Sequence, residues 1–339
     1  MPGGSIGGTL MSADSLYVVT GGAGFIGSNI AAALADKGKR VVVDDWLEVG
    51  DKWRNLAGVR LHDIVRPDEL QAWLAANAAS VAAIIHMGAI SATTERDGDK
   101  LVRDNIRLSL DLWSWCASAQ KPFVYASSAA TYGDGLEGFG DNDSPEGLAR
   151  LKPLNAYGWS KHVVDQRIAR DVAEGRPTPP LWAGLKFFNV YGPNEAHKGP
   201  MRSVALQLFE TLAAGGTVKL FRSHRPDYAD GGQLRDFVYV RDAVRVIEWI
   251  LEQPSFSGIY NLGTGQARTF MDLAQAVFAA MDIAPSVEFV DTPVSIRDRY
   301  QYFTQARMDR LRAAGCGLNF HSLEDGVADY WAHVRAQAL

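Results

Sequence analysis

The chain has 339 residues, of which 47% are hydrophobic and 22% charged, and its formal net charge is -5. This composition is typical of a globular protein large enough for two lobes, and the acidic balance gives no electrostatic reason to expect nucleic acid or an anionic membrane as a partner. No apolar run reaches the length of a transmembrane helix, and the two cysteines, Cys116 and Cys316, favour buried thiols in a reducing cytoplasm over a disulfide or metal ligands.

The opening segment is rich in glycine and serine. It lacks the basic start and apolar core of a signal peptide, so we expect residues 1–14 to form a flexible tail.

The first predicted structural unit is a strand, a glycine turn and a helix within Leu16–Lys37. Tyr17–Val19 is the short apolar strand, and Gly38 ends the helix. Three glycines between them allow a tight turn, close approach of backbone amides to a pyrophosphate, and close packing of the helix on its strand. The phosphates would lie at the helix N-terminus. The pattern, with its flanking strand and helix, predicts dinucleotide binding by Gly21, Gly24 and Gly27.

The second strand and the loop after it add further candidate cofactor residues. Arg40–Val43 is followed by Asp44 and Asp45, and Asp44 lies 20 positions after Gly24, where a carboxylate accepts a hydrogen bond from a ribose hydroxyl. The polar loop 46–55 contains Lys52 and Arg54. Either cation reaches an adenosine 2′-phosphate, or the loop is simply solvated.

Strands and helices continue to alternate. We expect a third strand at Val59–Leu61, with Asp63 at its end beside the adenine, a helix at 67–76, and a fourth strand at Val81–His86. The turn 87–91 would face the cofactor, and the long helix 101–119 has Asn105 on its inner side. Apolar strands alternating with helices predict an α/β fold with a Rossmann-like, doubly wound parallel sheet.

Hydroxyl groups follow the next predicted strand, Phe123–Tyr125. Ser127, Ser128 and Thr131 either orient a substrate oxygen or cap local backbone groups.

Tyr157 and Lys161 lie four residues apart and share one face of a predicted helix. A phenol, with an ordinary pKa of about 10, is a poor base near neutrality. A neighbouring ammonium and a positively charged nicotinamide would lower that pKa. The spacing alone also fits a surface pair, but after this glycine turn and this serine-ending strand it predicts a redox site.

The later segments predict a smaller, discontinuous C-terminal substrate lobe. We expect a strand at Leu181–Tyr191, a helix at 201–214, and helices at 270–281 and 323–335. The NADP-binding Rossmann domain would comprise 15–190 together with 237–262, which returns to it, and the substrate-binding lobe 191–236 and 263–339. Arg235 is the best diphosphate candidate because its planar fork pairs two oxygens, and a surface ion pair with Asp236 is the alternative.

These motifs together resemble the extended short-chain dehydrogenase/reductase superfamily, on the segments TGGAGFIG, YASSAATYG and YGWSK. More closely, the chain resembles the ADP-L-glycero-D-manno-heptose 6-epimerase family. That similarity rests on PLNAYGWSK, FFNVYGPNEAHKGPM, GGQLRDFVYVRD, GIYNLGTG and RYQYFTQA, and it extends from Tyr17 to about Tyr330.

The resemblance implies roles for individual residues. Tyr157 would be a proton acceptor with Lys161 as its partner, Lys198 a second acid/base group, and Ser128 the catalytic hydroxyl. With the residues predicted above, the NADP site would comprise Gly21, Gly24, Phe25, Ile26, Gly27, Asp44, Asp45, Lys52, Asp63, Met87, Gly88, Ala89, Ile90, Ser91, Asn105, Tyr157, Lys161, Val190 and Lys198. The ADP-sugar would contact Ser91, Asn189, Pro200, Gln207, Phe221, Arg222, Ser223, His224, Arg235 and Tyr300. No metal site is expected.

The sequence departs from the family pattern at several of these positions. Pro200 stands in place of a serine, Gln207 of a histidine and Met87 of a glutamate. Lys186 stands where arginine often precedes FFNVYG, and Ala129 where a serine or threonine is common. These changes affect the expected substrate contacts more than the redox chemistry.

The reaction implied by the resemblance inverts C6 of ADP-D-glycero-D-manno-heptose, a precursor of the lipopolysaccharide core. The C6–H bond is not acidic, so NADP⁺ takes the hydride, a 6-keto sugar forms, and the hydride returns to the opposite face after rotation about C5–C6. Alternatives are another nucleotide-sugar epimerase or dehydratase, such as a UDP-hexose 4-epimerase, or a catalytically silent NADP-binding protein of the same fold. The family tendency also leads us to expect a homo-oligomer.

Overall fold

A computed structural model describes residues 15–297 and 300–337 of the chain. The predicted tail, residues 1–14, lies outside the described residues. The strands, in chain order, are β1 (Leu16–Thr20), β2 (Arg40–Asp44), β3 (Asp63–Val65), β4 (Val81–His86), β5 (Phe123–Ser128), β6 (Trp182–Phe187), β7 (Asn189–Tyr191), β8 (Val218–Phe221), β9 (Leu234–Tyr239), β10 (Ser257–Leu262), β11 (Ala267–Thr269) and β12 (Val287–Val290).

The α-helices alternate with these strands through most of the chain. They are α1 (Phe25–Asp36), α2 (Leu70–Asn77), α3 (Gly98–Leu101), α4 (Leu108–Ala119), α5 (Pro145–Ala149), α6 (Ala156–Ala173), α7 (Val204–Ala213), α8 (Val240–Leu251), α9 (Phe270–Met281), α10 (Val294–Arg297), α11 (Asp309–Ala313) and α12 (Leu323–Gln337). A π-helical segment, Val102–Arg107, joins α3 to α4, and 3₁₀ helices lie at Lys52–Leu56, Ala129–Tyr132 and Ala196–Met201.

The centre of the molecule is a seven-stranded parallel sheet in the order β10-β6-β5-β4-β1-β2-β3. Alternate residues of each strand enter two different cores: Tyr17 and Val19 of β1 pack on one face, and Leu16 and Val18 on the other. Burial on both faces explains why these strands are almost wholly apolar. The predicted Rossmann-like, doubly wound sheet is therefore confirmed.

A smaller lobe has its own hydrophobic core, built from α7, α9 and α12 around Phe209, Phe278 and Tyr330. Two short sheets accompany it, one in the order β11-β9-β7 and one formed by β12 and β8. Phe25, the first residue of α1, belongs to this core. The first helix of the large sheet therefore contacts the smaller lobe.

Three predicted elements differ from the structure. The third strand is β3 rather than Val59–Leu61, because Val59 and Leu61 pack sideways on the core as the chain approaches the sheet. The strand predicted at Leu181–Tyr191 is broken at Phe188, where the chain leaves the central sheet and enters the second one as β7. Strand β9, predicted to return to the central sheet, pairs instead with β7 and β11, so α8 and β10 make the return.

Both cysteines are buried free thiols, as predicted. In the described ranges, no helix combines the length and apolarity needed to cross a bilayer.

Candidate active site

The glycine turn is built too tightly to accept a side chain. Gly21 has φ +63°, and a Cβ there would lie 2.6 Å from the Gly88 Cα atom. At Gly27 a Cβ would lie 2.1 Å from the Gly21 carbonyl oxygen. The turn therefore fixes the N-terminus of α1 against the turn after β4, and both border a cavity of about 520 Å³ that Lys52, Ser91 and Lys198 also line.

Two carboxylates follow β2 and behave differently. Asp45 accepts from the Ala23 N–H at 2.9 Å and pairs with Lys52 Nζ at 2.6 Å, so it braces the glycine turn. Asp44 is almost fully buried, and its Oδ1 atom has no hydrogen-bond partner within the described residues. Burial, and secondarily Asp45, raises the pKa of Asp44 to about 7. Asp44 lines a second cavity, of about 340 Å³, where its carboxylate suits a ribose hydroxyl.

Asn105 holds the turn after β4 in place through hydrogen bonds to its backbone. Its Oδ1 accepts from the Ile90 N–H at 2.8 Å, and its Nδ2 donates to the Ile90 carbonyl at 3.0 Å and to Ser160 Oγ at 2.9 Å. Fully buried, it ties the turn containing Met87, Gly88, Ala89 and Ser91 to helix α6.

Asp63 is not where the sequence analysis placed it. It opens β3 instead of following the third strand, because that strand begins later than predicted. Its carboxylate accepts from the Trp73 indole N–H at 3.1 Å on the surface, away from the cavities described here.

Tyr157 stands next to Ser128 because α6 starts against the segment after β5. Asn155 caps α6 by accepting from the Gly158 N–H at 2.8 Å, and a Cβ at Gly158 would lie 2.7 Å from the Ala130 carbonyl. This close approach brings the Tyr157 phenol to the Ser128 hydroxyl, and both line a cavity of about 320 Å³ and another of about 920 Å³.

Burial dominates the electrostatics of this pair. It raises the pKa of Tyr157, opposed by the hydrogen bond with Ser128. It lowers the pKa of Lys161 to about 8, opposed by the Asp165 carboxylate. The protein's own residues therefore do not lower the pKa of Tyr157, because desolvation outweighs the Ser128 hydrogen bond. The lowering predicted from the sequence also relied on a positively charged nicotinamide.

Lys198 lines the same space as Tyr157. It lies in the 3₁₀ helix Ala196–Met201, with Nζ 5.2 Å from the centre of the Phe25 ring. Burial lowers its pKa, and Glu195 opposes this shift. Lys198 shares the 320 Å³ cavity with Tyr157, Ser128, Asn189 and Val190, and the 520 Å³ cavity with the glycine turn, Phe25 and Ile26. Two candidate acid/base groups therefore face one cavity.

Glu195 fixes the segment that holds Lys198. It is fully buried and accepts from the Gly192 N–H at 3.3 Å and the Ser203 hydroxyl at 2.6 Å. It also hydrogen-bonds the Tyr330 hydroxyl of α12. A separate anchor comes from Asn55, which donates to the Ala23 carbonyl at 2.9 Å and to the Asn194 carbonyl at 3.2 Å.

The cavity of about 920 Å³ is the candidate sugar-nucleotide site, and Arg235 lies on its wall. The Arg235 guanidinium lies 5.5 Å from the ring centres of both Phe270 and Tyr300, and burial lowers its pKa. Asp236 points elsewhere, accepting from the backbone N–H groups of Thr264, Gly265 and Ala306. The alternative ion pair between Arg235 and Asp236 is therefore wrong.

Several predicted substrate residues do not line these cavities. Gln207 is exposed and donates to the Arg202 carbonyl at 2.9 Å, and Pro200 is also exposed. Arg222 pairs with Asp291 at 3.5 Å. Phe221 packs against Tyr300 and His224 against Tyr302, and the Ser223 hydroxyl donates to the Arg225 carbonyl at 2.8 Å.

Some lining residues were missed by the sequence analysis. His197 borders the 520 Å³ cavity, and burial, then Lys52 and Lys198, lower its pKa. Its position directly before Lys198 was the available signal. Thr93, Thr94 and Arg96 line the larger cavity and follow Ser91 closely in sequence. Among the described residues no cluster of three His, Cys, Asp or Glu side chains is arranged to hold a metal ion.

Comparisons with known proteins agree on one family. Residues 17–263 match the model of the NAD dependent epimerase/dehydratase family. A relative from Nitratidesulfovibrio vulgaris (strain DP4), named ADP-L-glycero-D-manno-heptose-6-epimerase, is 50% identical over 326 residues, covering 95% of this chain and 99% of the relative. A second of the same name, from Fusobacterium nucleatum, is 44% identical over 324 residues, covering 93% and 96%.

Solved structures show the same architecture. The crystal structure of the Helicobacter pylori ADP-L-glycero-D-manno-heptose-6-epimerase is similar with a TM-score of 0.78 at 27% identity, covering 96% of this chain and 97% of that one. A Thermus thermophilus UDP-glucose 4-epimerase, solved in complex with NAD, has a TM-score of 0.74 at 27% identity, covering 94% and 99%.

Proposed function

This chain belongs to the NAD dependent epimerase/dehydratase family and, within it, to the ADP-L-glycero-D-manno-heptose-6-epimerases, and from that membership we propose that it inverts C6 of ADP-D-glycero-D-manno-heptose. The observation that carries the proposal is that Tyr157 and Lys198 line one cavity, which the glycine turn's helix also borders through Phe25 and Ile26. A reaction that removes and returns a proton from two directions needs two acid/base groups at one cavity.

The residues present fit a nicotinamide dinucleotide. The glycine positions leave room only for backbone, which lets N–H groups approach a pyrophosphate, and Asp44 offers a free buried oxygen to a ribose hydroxyl. When bound, this cofactor supplies the acceptor and donor of hydride. The protein supplies position and proton transfer.

Tyr157 is the proposed proton acceptor at the C6 hydroxyl. Burial alone keeps its phenol protonated at neutral pH, so the ionised form depends on positive charge close by. Lys161, buried on the same helix, provides one such charge, and the Ser128 hydrogen bond favours the phenolate further. Ser128 also orients the C6 oxygen at the carboxyl end of β5.

Lys198 is the proposed second acid/base group. After rotation about the C5–C6 bond, the C6 oxygen of the keto intermediate points away from Tyr157. Lys198 lines the 320 Å³ cavity together with Tyr157, and its lowered pKa brings proton exchange closer to neutral pH. It therefore serves the oxygen of one epimer, and Tyr157 that of the other.

Arg235 is the proposed diphosphate contact in the larger cavity. The rings of Phe270 and Tyr300 hold its guanidinium, and one N–H group donates to the Leu234 carbonyl at 2.8 Å. Asp236 accepts from backbone amides instead, so the other guanidinium N–H groups would pair with phosphate oxygens. Asn189, which lines both cavities, lies between the redox centre and this nucleotide end.

We propose NADP as the form of the cofactor. Lys52 is the proposed cation near the 2′ position of the adenosine ribose. It would leave its ion pair with Asp45 and bind the 2′-phosphate instead. The raised pKa of Asp44 reduces the negative charge that a 2′-phosphate would meet. Release of the bound nucleotide by denaturation, followed by mass measurement, tests this assignment, and mainly NAD(H) would contradict it.

We also propose an oligomeric state and a cellular location. A homo-oligomer in solution is tested by light scattering on the purified chain. A cytoplasmic location accords with two free thiols, and fractionation of the source cells tests it.

The experiment that tests the function uses substrate deuterated at C6. Incubation with ADP-D-glycero-D-manno-heptose should yield the L-glycero epimer with the label retained in unlabelled water, because the hydride returns within one active site. UDP-glucose incubated in parallel tests the alternative 4-epimerase. Turnover of UDP-glucose alone would overturn the proposal, and so would binding of the dinucleotide without turnover of either sugar.

A further inference from the structure

A buried ion pair beneath the catalytic helix has no part in the proposed mechanism. Lys186 of β6 and Asp165 of α6 meet with Nζ 2.7 Å from Oδ2, and their side chains are 1% and 0% exposed. Removing two charges from water is unfavourable unless both are paired and hydrogen-bonded. A buried ion pair is therefore weak evidence for added stability, and a functional role has to be considered.

The pair is fully hydrogen-bonded. Asp165 accepts from the Tyr125 hydroxyl at 3.0 Å and from the Ser127 hydroxyl at 2.7 Å. Lys186 donates to Thr131 Oγ1 at 2.6 Å. A Cβ at Gly184 would lie 2.4 Å from the Tyr125 hydroxyl, so the network needs a glycine beside it.

The network lies directly behind the reacting groups. Asp165 follows Lys161 by four residues on α6, which places both on one helix face. Thr131 donates to the Ser128 carbonyl at 2.8 Å, and Ser127 is the residue before Ser128. The ion pair thus contacts the supports of Ser128 and shares a helix face with Lys161.

We propose that Asp165 and Lys186 are positioning residues for the redox step: the Asp165 carboxylate keeps Lys161 in its ammonium form, and Lys186 holds that carboxylate so that Lys161 remains directed to the cofactor. The proposal rests on the proposed function, since it assigns a role to the support of Tyr157 and Lys161.

The charges around Lys161 come from three elements. Asp165 on α6 opposes the effect of burial, which lowers the Lys161 pKa to about 8. His86 on β4 is neutral, because burial and then Lys161 lower its pKa to about 3. Lys186 on β6 pairs with the same Asp165 carboxylate at 2.7 Å. With the Asp165 charge removed, burial acts on Lys161 unopposed.

The test is the pH dependence of kcat in variants of the intact enzyme. Asp165→Asn/Lys186→Met removes both charges together and leaves no unpaired ion in the interior. Its alkaline limb should move to lower pH by about one unit, because a nearby opposite charge is worth roughly one to three pKa units. Lys186→Met alone removes the competing cation, and its alkaline limb should move to higher pH. Lys186→Arg keeps the charge and should restore the wild-type profile.

Tyr125→Phe is the control, since it removes one hydrogen bond to Asp165 and no charge, and it should lower stability without moving the limb. Glu195 is the charge that acts on Lys198, so a moved limb in the double variant reports Lys161. An unmoved limb in a folded double variant, or in folded Lys186→Met, would overturn the proposal.

The pH dependence of the dinucleotide dissociation constant gives the same comparison without any sugar. A shift in the pH dependence of dinucleotide binding would support the proposal even if the enzyme turned over no heptose. The proposal about Asp165 and Lys186 can therefore fail or succeed independently of the proposed function.

Discussion

The dinucleotide side and the sugar side of the central cavities are built differently. On the dinucleotide side, the turn Gly21–Gly27 and the turn after β4 approach so closely that only backbone fits between them. On the sugar side, the walls are side chains from separate segments, such as Arg96, Arg235 and Tyr300. One side is defined by main-chain geometry in the turns that follow the neighbouring strands β1 and β4, and the other by residues that meet only in the folded lobe.

The difference predicts how each side tolerates change. A single added methyl group disrupts a site made of backbone, because neighbouring main chain cannot move aside cheaply. A site made of side chains loses one contact at a time, and substrate preference can drift while chemistry is retained. The departures from the family pattern at Pro200 and Gln207 lie outside the walls of both sides, at exposed positions.

The largest effect is expected at Gly27. Gly27→Ala would place Cβ 2.1 Å from the Gly21 oxygen, so we expect loss of tightly bound dinucleotide, loss of activity and a lower melting temperature. Co-purified nucleotide and thermal unfolding measure these effects. Gly98→Ala is the matched control, because no atom lies within 4 Å of its Cβ position. If Gly27→Ala kept the wild-type content of bound dinucleotide, the dinucleotide side would tolerate an added methyl group, and the proposed difference between the two sides would be wrong.

Tyr157→Phe is next in size and concerns the junction of both sides. The ring packing stays and the ionisable oxygen is lost, so folding should survive while kcat falls about 10²–10⁴-fold. Steady-state kinetics with the deuterated heptose measures this. Retention of more than about a tenth of wild-type kcat would mean that Tyr157 is not the principal base.

Lys198→Met tests whether Tyr157 and Lys198 act as two separate bases. We expect a fall in kcat of about 10²-fold or more for epimerisation, because one epimer loses its proton partner. Hydride transfer to or from the other epimer should persist, measured as transient cofactor absorbance. A raised KM with unchanged kcat would instead show that Lys198 only neutralises phosphate.

Arg235→Lys should have a moderate effect confined to binding. The charge remains, but the planar fork is lost, so KM for the ADP-sugar should rise about tenfold with kcat little changed. Arg241→Lys is the control, because that arginine is half exposed and pairs with Asp329. Equal changes in KM for both variants would remove Arg235 from the diphosphate site.

The smallest effect is expected at Gln207. Gln207→Ala should leave kcat/KM within about twofold of wild type, because this exposed side chain faces away from the cavities. A rise in KM of about tenfold would contradict this expectation. It would show that Gln207 contacts the ADP-sugar, as the family resemblance implies.

The same contrast explains how much could be predicted from the sequence. The glycine turn, β2 with its acidic end, β4 and the Tyr157 helix come from local patterns, and all lie where predicted. Strand β3 is only three residues long, so the apolar pair Val59 and Leu61 gave a stronger signal than the strand itself. Asp63 was misplaced as a consequence.

Long-range partners could not be read from the sequence. Strands β8 and β12 are four residues each and pair across a separation of about seventy residues, so neither has a local signature. Nothing local shows that Lys52 pairs with Asp45, or that Asp236 turns away from Arg235 to bind three backbone amides. The direction of the Tyr157 pKa required the degree of burial, which only the fold supplies.

The bond between Glu195 and Tyr330 sets an order of events during synthesis. Residues 16–128 supply the glycine turn and most of the lining on the dinucleotide side, and α6 with Tyr157 follows closely, so both leave the ribosome long before α12. The segment with Lys198 gains its contact to α12 only when Tyr330 has emerged and docked against Glu195. Full support of the Lys198 segment therefore depends on the C-terminal end of the chain, so a chain shortened before α12 would keep Tyr157 but lose one of the contacts that hold Lys198 in place.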